Sequence, residues 1–232
     1  MHTTASDGHS SVEDMAGAAK QLGYQYILIT DHSKAVTIAN GLSEERAVEN
    51  IQRIHAARKK VKGIEIWAGT EVDIMGDGTL DYSNELLKQF DIVLASVHSR
   101  MNMPADEMTA RLLRALENPY VRILGHPTGR LILRRDPFLF DTEKVFAAAK
   151  KFGVILEVNA APERLDLSDR HVRLARDRGM KIIISTDAHD PQHFKLMRYG
   201  VTTARRGWME KSGVLNTLPP EELLAHLRPL PR

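Results

Sequence analysis

The feature that most restricts what this chain can fold into is an alternation. Short apolar runs rich in β-branched residues, at 26–30, 64–70, 92–97, 121–124, 154–158 and 182–185, are separated by amphipathic stretches. Runs of that length and composition read as buried strands. The segments between them read as helices. Ser11 is placed to cap a helix over 12–22 that stops at Gly23, Ser43 caps one running towards 61, and further helical patterns cover 106–116, 142–152 and 168–178. A strand that pairs in parallel with the next needs a crossover to bring the chain back, so this alternation implies a parallel sheet with helices outside it. Either a barrel or a doubly wound sheet satisfies that pattern.

The residues that end the runs decide between the two. They read Thr30-Asp31-His32, Thr70-Glu71, Val97-His98, Gly125-His126, Glu157-Val158-Asn159 and Asp187-Ala188-His189. In a barrel the C-terminal ends of all strands converge on one face, whereas an open sheet gathers only those near its switch point. Polar ends on every run therefore favour an α/β barrel. A lone His at a strand end is usually satisfied by a backbone partner; the recurrence is what argues for a shared site. His55 and His171 lie inside helical patterns, His193 follows the last polar run and His226 lies near the C-terminus, and these four read as surface or packing residues. The segment His2-Thr3-Thr4-Ala5-Ser6-Asp7-Gly8-His9 adds candidates on a short loop. A capped turn explains its Ser and Gly but not His2. Asp7, with His9 as a second candidate, is placed to join His2 around a cation.

Composition excludes several classes. With no Cys among 232 residues, disulfides, thiolate zinc sites and cysteine nucleophiles are ruled out, so a metal here would be held by nitrogen and oxygen. At 43% hydrophobic and 27% charged the chain has the apolar surface to offset ordering entropy, and no linker or composition shift divides it, so one domain over 1–232 is expected. No charged leader followed by an apolar segment opens the sequence, and no run approaches the roughly 20 apolar residues that span a bilayer. A cytoplasmic protein without a membrane partner is the expectation. A formal charge of +2 permits a phosphorylated or nucleic-acid partner without requiring one. No helix-turn-helix or zinc-finger pattern is visible.

Taken together, His2-Thr3-Thr4-Ala5-Ser6-Asp7-Gly8, Ile29-Thr30-Asp31-His32, Gly69-Thr70-Glu71, Ser96-Val97-His98, Gly125-His126-Pro127 and Ser185-Thr186-Asp187-Ala188-His189 resemble the polymerase-and-histidinol-phosphatase (PHP) domain. Gly125-His126-Pro127-Thr128-Gly129-Arg130, Asn159-Ala160-Ala161-Pro162-Glu163-Arg164-Leu165-Asp166-Leu167, Met197-Arg198-Tyr199-Gly200-Val201 and Ala204-Arg205-Arg206-Gly207-Trp208 are similar to the C-terminal PHP domain of bacterial family X DNA polymerases. The resemblance implies a distorted, TIM-like barrel of seven strands holding two or three divalent ions, Mn²⁺ first, with Zn²⁺ or Fe²⁺ as alternatives. Carried over by position, the metal ligands fall on His2, Asp7, His32, Glu71, His98, His126, Asp187 and His189. The family's first strand ends in His-x-His or Gln-x-His, and this chain begins one residue before the second His, so a truncated first strand and one incomplete metal position are expected.

Clustered cations suit phosphate-ester hydrolysis by metal-activated water, without a protein nucleophile. Glu71 or Asp187 is expected as a bridging ligand, with His189 or Asp187 assisting proton transfer. Among arginines near the polar runs, Arg100, Arg130 and Arg164 follow strand ends most closely and are the candidates for holding phosphate oxygens. The resemblance implies action on DNA 3′ ends: 3′→5′ exonuclease activity, with abasic-site cleavage or 3′-phosphate removal as variants, in partnership with a polymerase domain. The alternatives are a small-molecule phosphomonoesterase, such as a histidinol phosphatase, and a catalytically weak module that docks a polymerase.

Overall fold

The computed structural model describes residues 1–227. Six parallel strands form one sheet in chain order: β1 (Tyr26–Ile29), β2 (Glu65–Asp73), β3 (Ile92–Ser96), β4 (Val121–Leu124), β5 (Ile155–Asn159) and β6 (Ile182–Ser185). Helix α1 (Val12–Gln21) precedes β1. The crossovers carry α2 (Glu44–Lys60), α3 (Asn84–Leu87), α4 (Ala105–Leu116), α5 (Thr142–Phe152) and α6 (Asp169–Asp177), and α7 (Met197–Arg206) and α8 (Pro220–Leu227) follow β6. Strands that each pair with their sequence neighbours are those of a barrel rather than of a sheet whose order reverses. The helix starts are set as the sequence indicates. Ser11 accepts from the Asp14 amide and is answered by the Asp14 carboxylate, while Ser43 and Ser168 cap α2 and α6 by accepting from the Arg46 and His171 amides.

The expected seventh strand is not among the described residues, and the sheet is open between β1 and β6. At this seam the backbones of Met1 and His2 meet the two edges near the C-terminal ends of the strands, and further down Asn216 pairs with Ile184 of β6 while its carbonyl accepts from the Tyr26 hydroxyl of β1. The Met1 carbonyl accepts from the Thr30 amide at 2.7 Å, and the His2 amide donates to the Ala188 carbonyl at 2.8 Å.

Side-chain alternation on β2 explains the layers. Ile66, Ala68 and Val72 face the helices in the larger core, whereas Trp67 lies in a second cluster inside the curl with Ile92, Leu94, Ile123, Leu215, Leu223 and Leu227. Glu71 and Asp73 continue the Trp67 face towards the C-terminal end of the strand. The interior is therefore apolar below and acidic above. A cavity of about 350 Å³ runs through it, from Trp67 and Leu218 up to Glu71, His126 and Asp187. Among the described residues no helix is long and apolar enough to cross a membrane.

Ile66 is fully buried in the larger core while Leu22 is 55% exposed. Ile66→Ala is expected to destabilise the chain by about 2–5 kcal/mol and Leu22→Ala by less than about 0.5 kcal/mol. Urea denaturation midpoints at constant slope check both values.

Candidate metal centre

The site forms because short polar ends of five strands, and the loop before α1, meet above the apolar interior. That loop is held from below by Asp31. Its buried carboxylate accepts from the Thr3 amide and hydroxyl, both at 2.8 Å, from the Ser6 hydroxyl at 2.7 Å and from the Asn50 amide group at 2.9 Å. Gly8 lets the loop fold tightly on itself, since a Cβ there would lie 2.4 Å from the His2 carbonyl oxygen. His2 and Asp7 are thereby carried to the seam, facing the ends of β1, β2 and β6.

Glu71 is the centre of the cluster. Its Oε1 lies 2.8 Å from His126 Nε2 and 3.2 Å from His98 Nε2, while Oε2 lies 3.3 Å from His2 Nε2 and 3.8 Å from His32 Nδ1. Asp187 Oδ1 sits 3.0 Å from His2 Nε2, and its Oδ2 accepts from Asn159 at 3.0 Å, with Arg164 Nε at 3.7 Å. Asp7 Oδ2 faces His189 Nε2 at 3.4 Å and His32 Nε2 at 3.7 Å. Gly125 permits His126 to approach: a Cβ at 125 would meet Ser96 Oγ at 2.4 Å.

Three donor sets emerge, each with ligand atoms within 4.8 Å of one another: His2, Asp7, His32 and His189; His32, Glu71 and His98; and His2, Glu71 and Asp187. They share His2, His32 and Glu71, so the three sets form one continuous donor cluster rather than separate sites. His126 belongs to none of these sets, though it touches Glu71. Nδ1 of His2 and of His32 is buried without a hydrogen-bond partner. An unpartnered buried ring nitrogen is costly in a dry interior, and a cation would relieve it. Nitrogen and carboxylate donors without sulfur fit Mn²⁺, Zn²⁺ or Fe²⁺.

The ionisation of the cluster follows from its packing. Burial opposes protonation of His2, yet hydrogen bonds to Asp187 and Glu71 raise its pKa to about 10. His98 is likewise buried, and Asp73 and Glu71 raise it to about 9. For His32 burial prevails and lowers it to about 4, the nearby Glu71 and Asp7 charges offsetting only part of that. Burial opposes ionisation of Glu71 and Asp187, but the imidazoles around them hold both well below the ordinary carboxylate range.

Every residue expected as a ligand thus lies in one cluster. His9 does not: its ring is exposed, and only its backbone amide reaches the His189 carbonyl. Among the arginines, Arg164 stands at the site beside Asp187. Arg130 instead donates Nε to the Arg164 carbonyl at 2.7 Å and a second nitrogen to the Leu165 carbonyl, so it holds the 160–166 loop. Arg100 is exposed and lies against Gly76. The sequence reading assigned no role to Asp31 or Asp73. Asp73 accepts from both the amide and Nδ1 of His98 at 3.0 Å and so orients that ring. Its signal was available: Asp73 is two residues beyond Glu71 and shares its face. Glu157, buried beneath the site with its pKa raised by desolvation, accepts from the His126 amide at 2.6 Å and from the Ser185 hydroxyl.

Comparison with known proteins places these features in context. The model of the PHP domain family matches residues 1–161. A DNA polymerase/3′-5′ exonuclease PolX of Bacillus subtilis (strain 168) is 43% identical over 98% of this chain, which spans only 40% of that protein's length. A probable phosphatase of Thermoanaerobacter sp. (strain X514) is 33% identical over 81% of this chain and 77% of its own. The crystal structure of histidinol phosphate phosphatase from Lactococcus lactis, complexed with zinc, L-histidinol and phosphate, superimposes with a TM-score of 0.60, covering 90% of this chain and 92% of that one at 15% identity.

A metal ligand must offer a lone pair, and at pH 7.5 the metal-free His2 and His98 rings are protonated because their pKa values lie above that pH. Adding Mn²⁺ or Zn²⁺ is therefore expected to release protons, and affinity is expected to rise with pH through about 9–10. Calorimetric titration in two buffers of different ionisation enthalpy checks the release. Identical enthalpies in both would contradict it.

Proposed function

This chain belongs to the PHP domain family and is a metal-dependent phosphoesterase, and from that premise we propose that it acts on DNA 3′ ends as a 3′→5′ exonuclease, with residues 1–232 working as the phosphoesterase module of a family X DNA polymerase. The observation that carries the reading is the match over 98% of the chain to a protein named as polymerase and 3′-5′ exonuclease, together with a donor cluster centred on Glu71.

His2, Asp7, His32, Glu71, His98, His126, Asp187 and His189 would hold two or three cations, of which Mn²⁺ fits first. When bound, these supply neutralisation of phosphate charge and a lowered pKa for water. The remaining work falls to the chain itself. Glu71 divides its oxygens, Oε1 towards His98 and His126 and Oε2 towards His2 and His32, so it bridges two donor groups. Arg164, held beside Asp187 by the 160–166 loop, offers guanidinium donors to a phosphate oxygen entering from the open face. His189 is the more exposed imidazole of its donor set. Its Nδ1 lies 2.7 Å from the Asp187 carbonyl, which sets the tautomer and directs the single Nε2 lone pair into the site, to hold a cation or, where two cations leave it unligated, to carry a proton. Asn159 and His2 hold the two oxygens of Asp187, fixing the carboxylate in place.

A second reading, hydrolysis of a small phosphomonoester, draws on the probable phosphatases, which align with 81% of this chain and along most of their own length. A docking module without hydrolysis is disfavoured by a donor set this full.

Elemental analysis of protein purified without chelator is expected to find roughly two or three metals per chain. Incubation with Mn²⁺ should shorten a 3′-recessed oligonucleotide faster than it hydrolyses a small phosphomonoester. The reverse preference would support the second reading. His189→Gln is expected to lower kcat about 10²- to 10⁴-fold. His126→Ala should abolish hydrolysis with an unchanged circular dichroism spectrum, and full activity in that variant would sink the assignment.

A further inference from the structure

Outside the metal centre, the outer face of α6 and the end of α7 carry an unusual combination of side chains. Arg170, Arg173 and Arg176 recur at three-residue spacing along α6 and are all exposed, as are Arg205 and Arg206 at the end of α7. Trp208 lies among them. The Arg173 guanidinium carbon is 4.4 Å from its ring centroid and that of Arg176 is 6.0 Å away, yet the residue remains 60% exposed. The chain's other tryptophan, Trp67, is 5% exposed.

The position of Trp208 is built. Gly207, which precedes it, packs so closely on α6 that a Cβ would lie 2.6 Å from Val172 and 2.8 Å from the Asp169 carbonyl oxygen. Arg206 Nε bonds the Asp169 carboxylate at 3.0 Å from the same side. Trp208 itself has φ +58°, a left-handed conformation that a bulky residue rarely takes and that glycine would hold more easily. A large aromatic ring is thus kept in solvent at a strained position where burial has not drawn it in. Among the described residues the five arginines have Asp169 and Asp177 as ion-pair partners, and with the exposed Glu210 counted as well the patch remains positive.

From these observations we infer that Trp208, with Arg170, Arg173, Arg176, Arg205 and Arg206, is a docking site for single-stranded nucleic acid, in which the indole stacks on an unpaired base and the guanidinium groups hold the flanking phosphates. Stacking platforms interleaved with cations are how single strands are bound without sequence preference. Helix α6 starts directly after the 160–167 segment that follows the C-terminal end of β5, so Arg170 at its first turn lies towards the face of the sheet that carries the metal centre. The inference rests on the nucleic-acid reading of the metal centre and extends it: this patch would hold the strand while its 3′ end is shortened.

The test uses the two tryptophans. Titrating the metal-loaded protein with a single-stranded oligothymidylate, protected at its 3′ end by phosphorothioate linkages, is expected to quench emission in a saturable way, because Trp208 is the exposed indole. The apparent Kd should rise steeply with salt. Trp208→Phe should remove the quenching at an unchanged circular dichroism spectrum. Trp208→Ala, and separately Arg173→Ala, should raise KM for a long oligonucleotide by about tenfold or more with kcat retained. An oligonucleotide that the wild type hydrolyses but that leaves emission unchanged would overturn the docking site, as would an unaltered KM in Trp208→Ala. Failure of the wider reading looks different: no oligonucleotide would be hydrolysed at all. Quenching still decides the patch in that case, its presence supporting nucleic-acid docking and its absence overturning it.

Discussion

The rest of this structure depends on a buried carboxylate that stays ionised. Glu71 is 4% exposed, and an isolated carboxylate that deep would take up a proton. It does not, because His2, His98 and His126 place ring nitrogens within 3.3 Å of its oxygens. Each imidazole comes from a different part of the chain: the N-terminal loop, the end of β3 and the end of β4. Satisfying one side chain therefore fixes the relative positions of several strand ends. The apolar interior beneath, from Trp67 to Leu227, supplies the rigid floor on which that arrangement stands.

The neighbouring residues show how the arrangement is kept in place. Asp31 uses both oxygens to hold the loop that presents His2 and Asp7. Asp73 orients His98, and Glu157 holds the backbone at His126. Supporting groups of this kind set the tautomer and direction of a ligand, and their loss weakens metal sites though they touch no metal. A cluster of nitrogen and oxygen donors with several members shared between sets is matched to more than one cation. That is the arrangement in which a phosphate ester can be neutralised and a water activated together.

Much of this was legible in the sequence, for a physical reason. In parallel strands the functional residues come at the C-terminal end, so each ligand stands next to a recognisable apolar run. His32, Glu71, His98, His126, Asp187 and His189 all follow that rule. Helix starts were equally plain where Ser11 and Ser43 cap them. What could not be read has an equally physical cause. The role of Asp31 depends on contacts with Thr3, Ser6 and Asn50 that no spacing reveals. Arg130 looked like a phosphate ligand by its position, but whether a guanidinium faces substrate or the carbonyls of Arg164 and Leu165 is decided by how two loops pack. The seventh strand implied by the resemblance is not among the described residues, where six parallel strands make up the sheet. Helix α3, only four residues long, is too short to show periodicity, and α7 and α8 lie beyond the last strand, outside the strand–helix alternation from which the other helices were read.

The central claim is that Glu71 joins the donor sets into one hydrolytic metal centre. Glu71→Gln keeps the shape of the side chain and removes its charge, so metal content and phosphodiester hydrolysis can be measured on the same folded sample. The account predicts that bound metal per chain falls and hydrolysis is lost together, with the circular dichroism spectrum unchanged. A variant that retained its full metal content and its activity would contradict it.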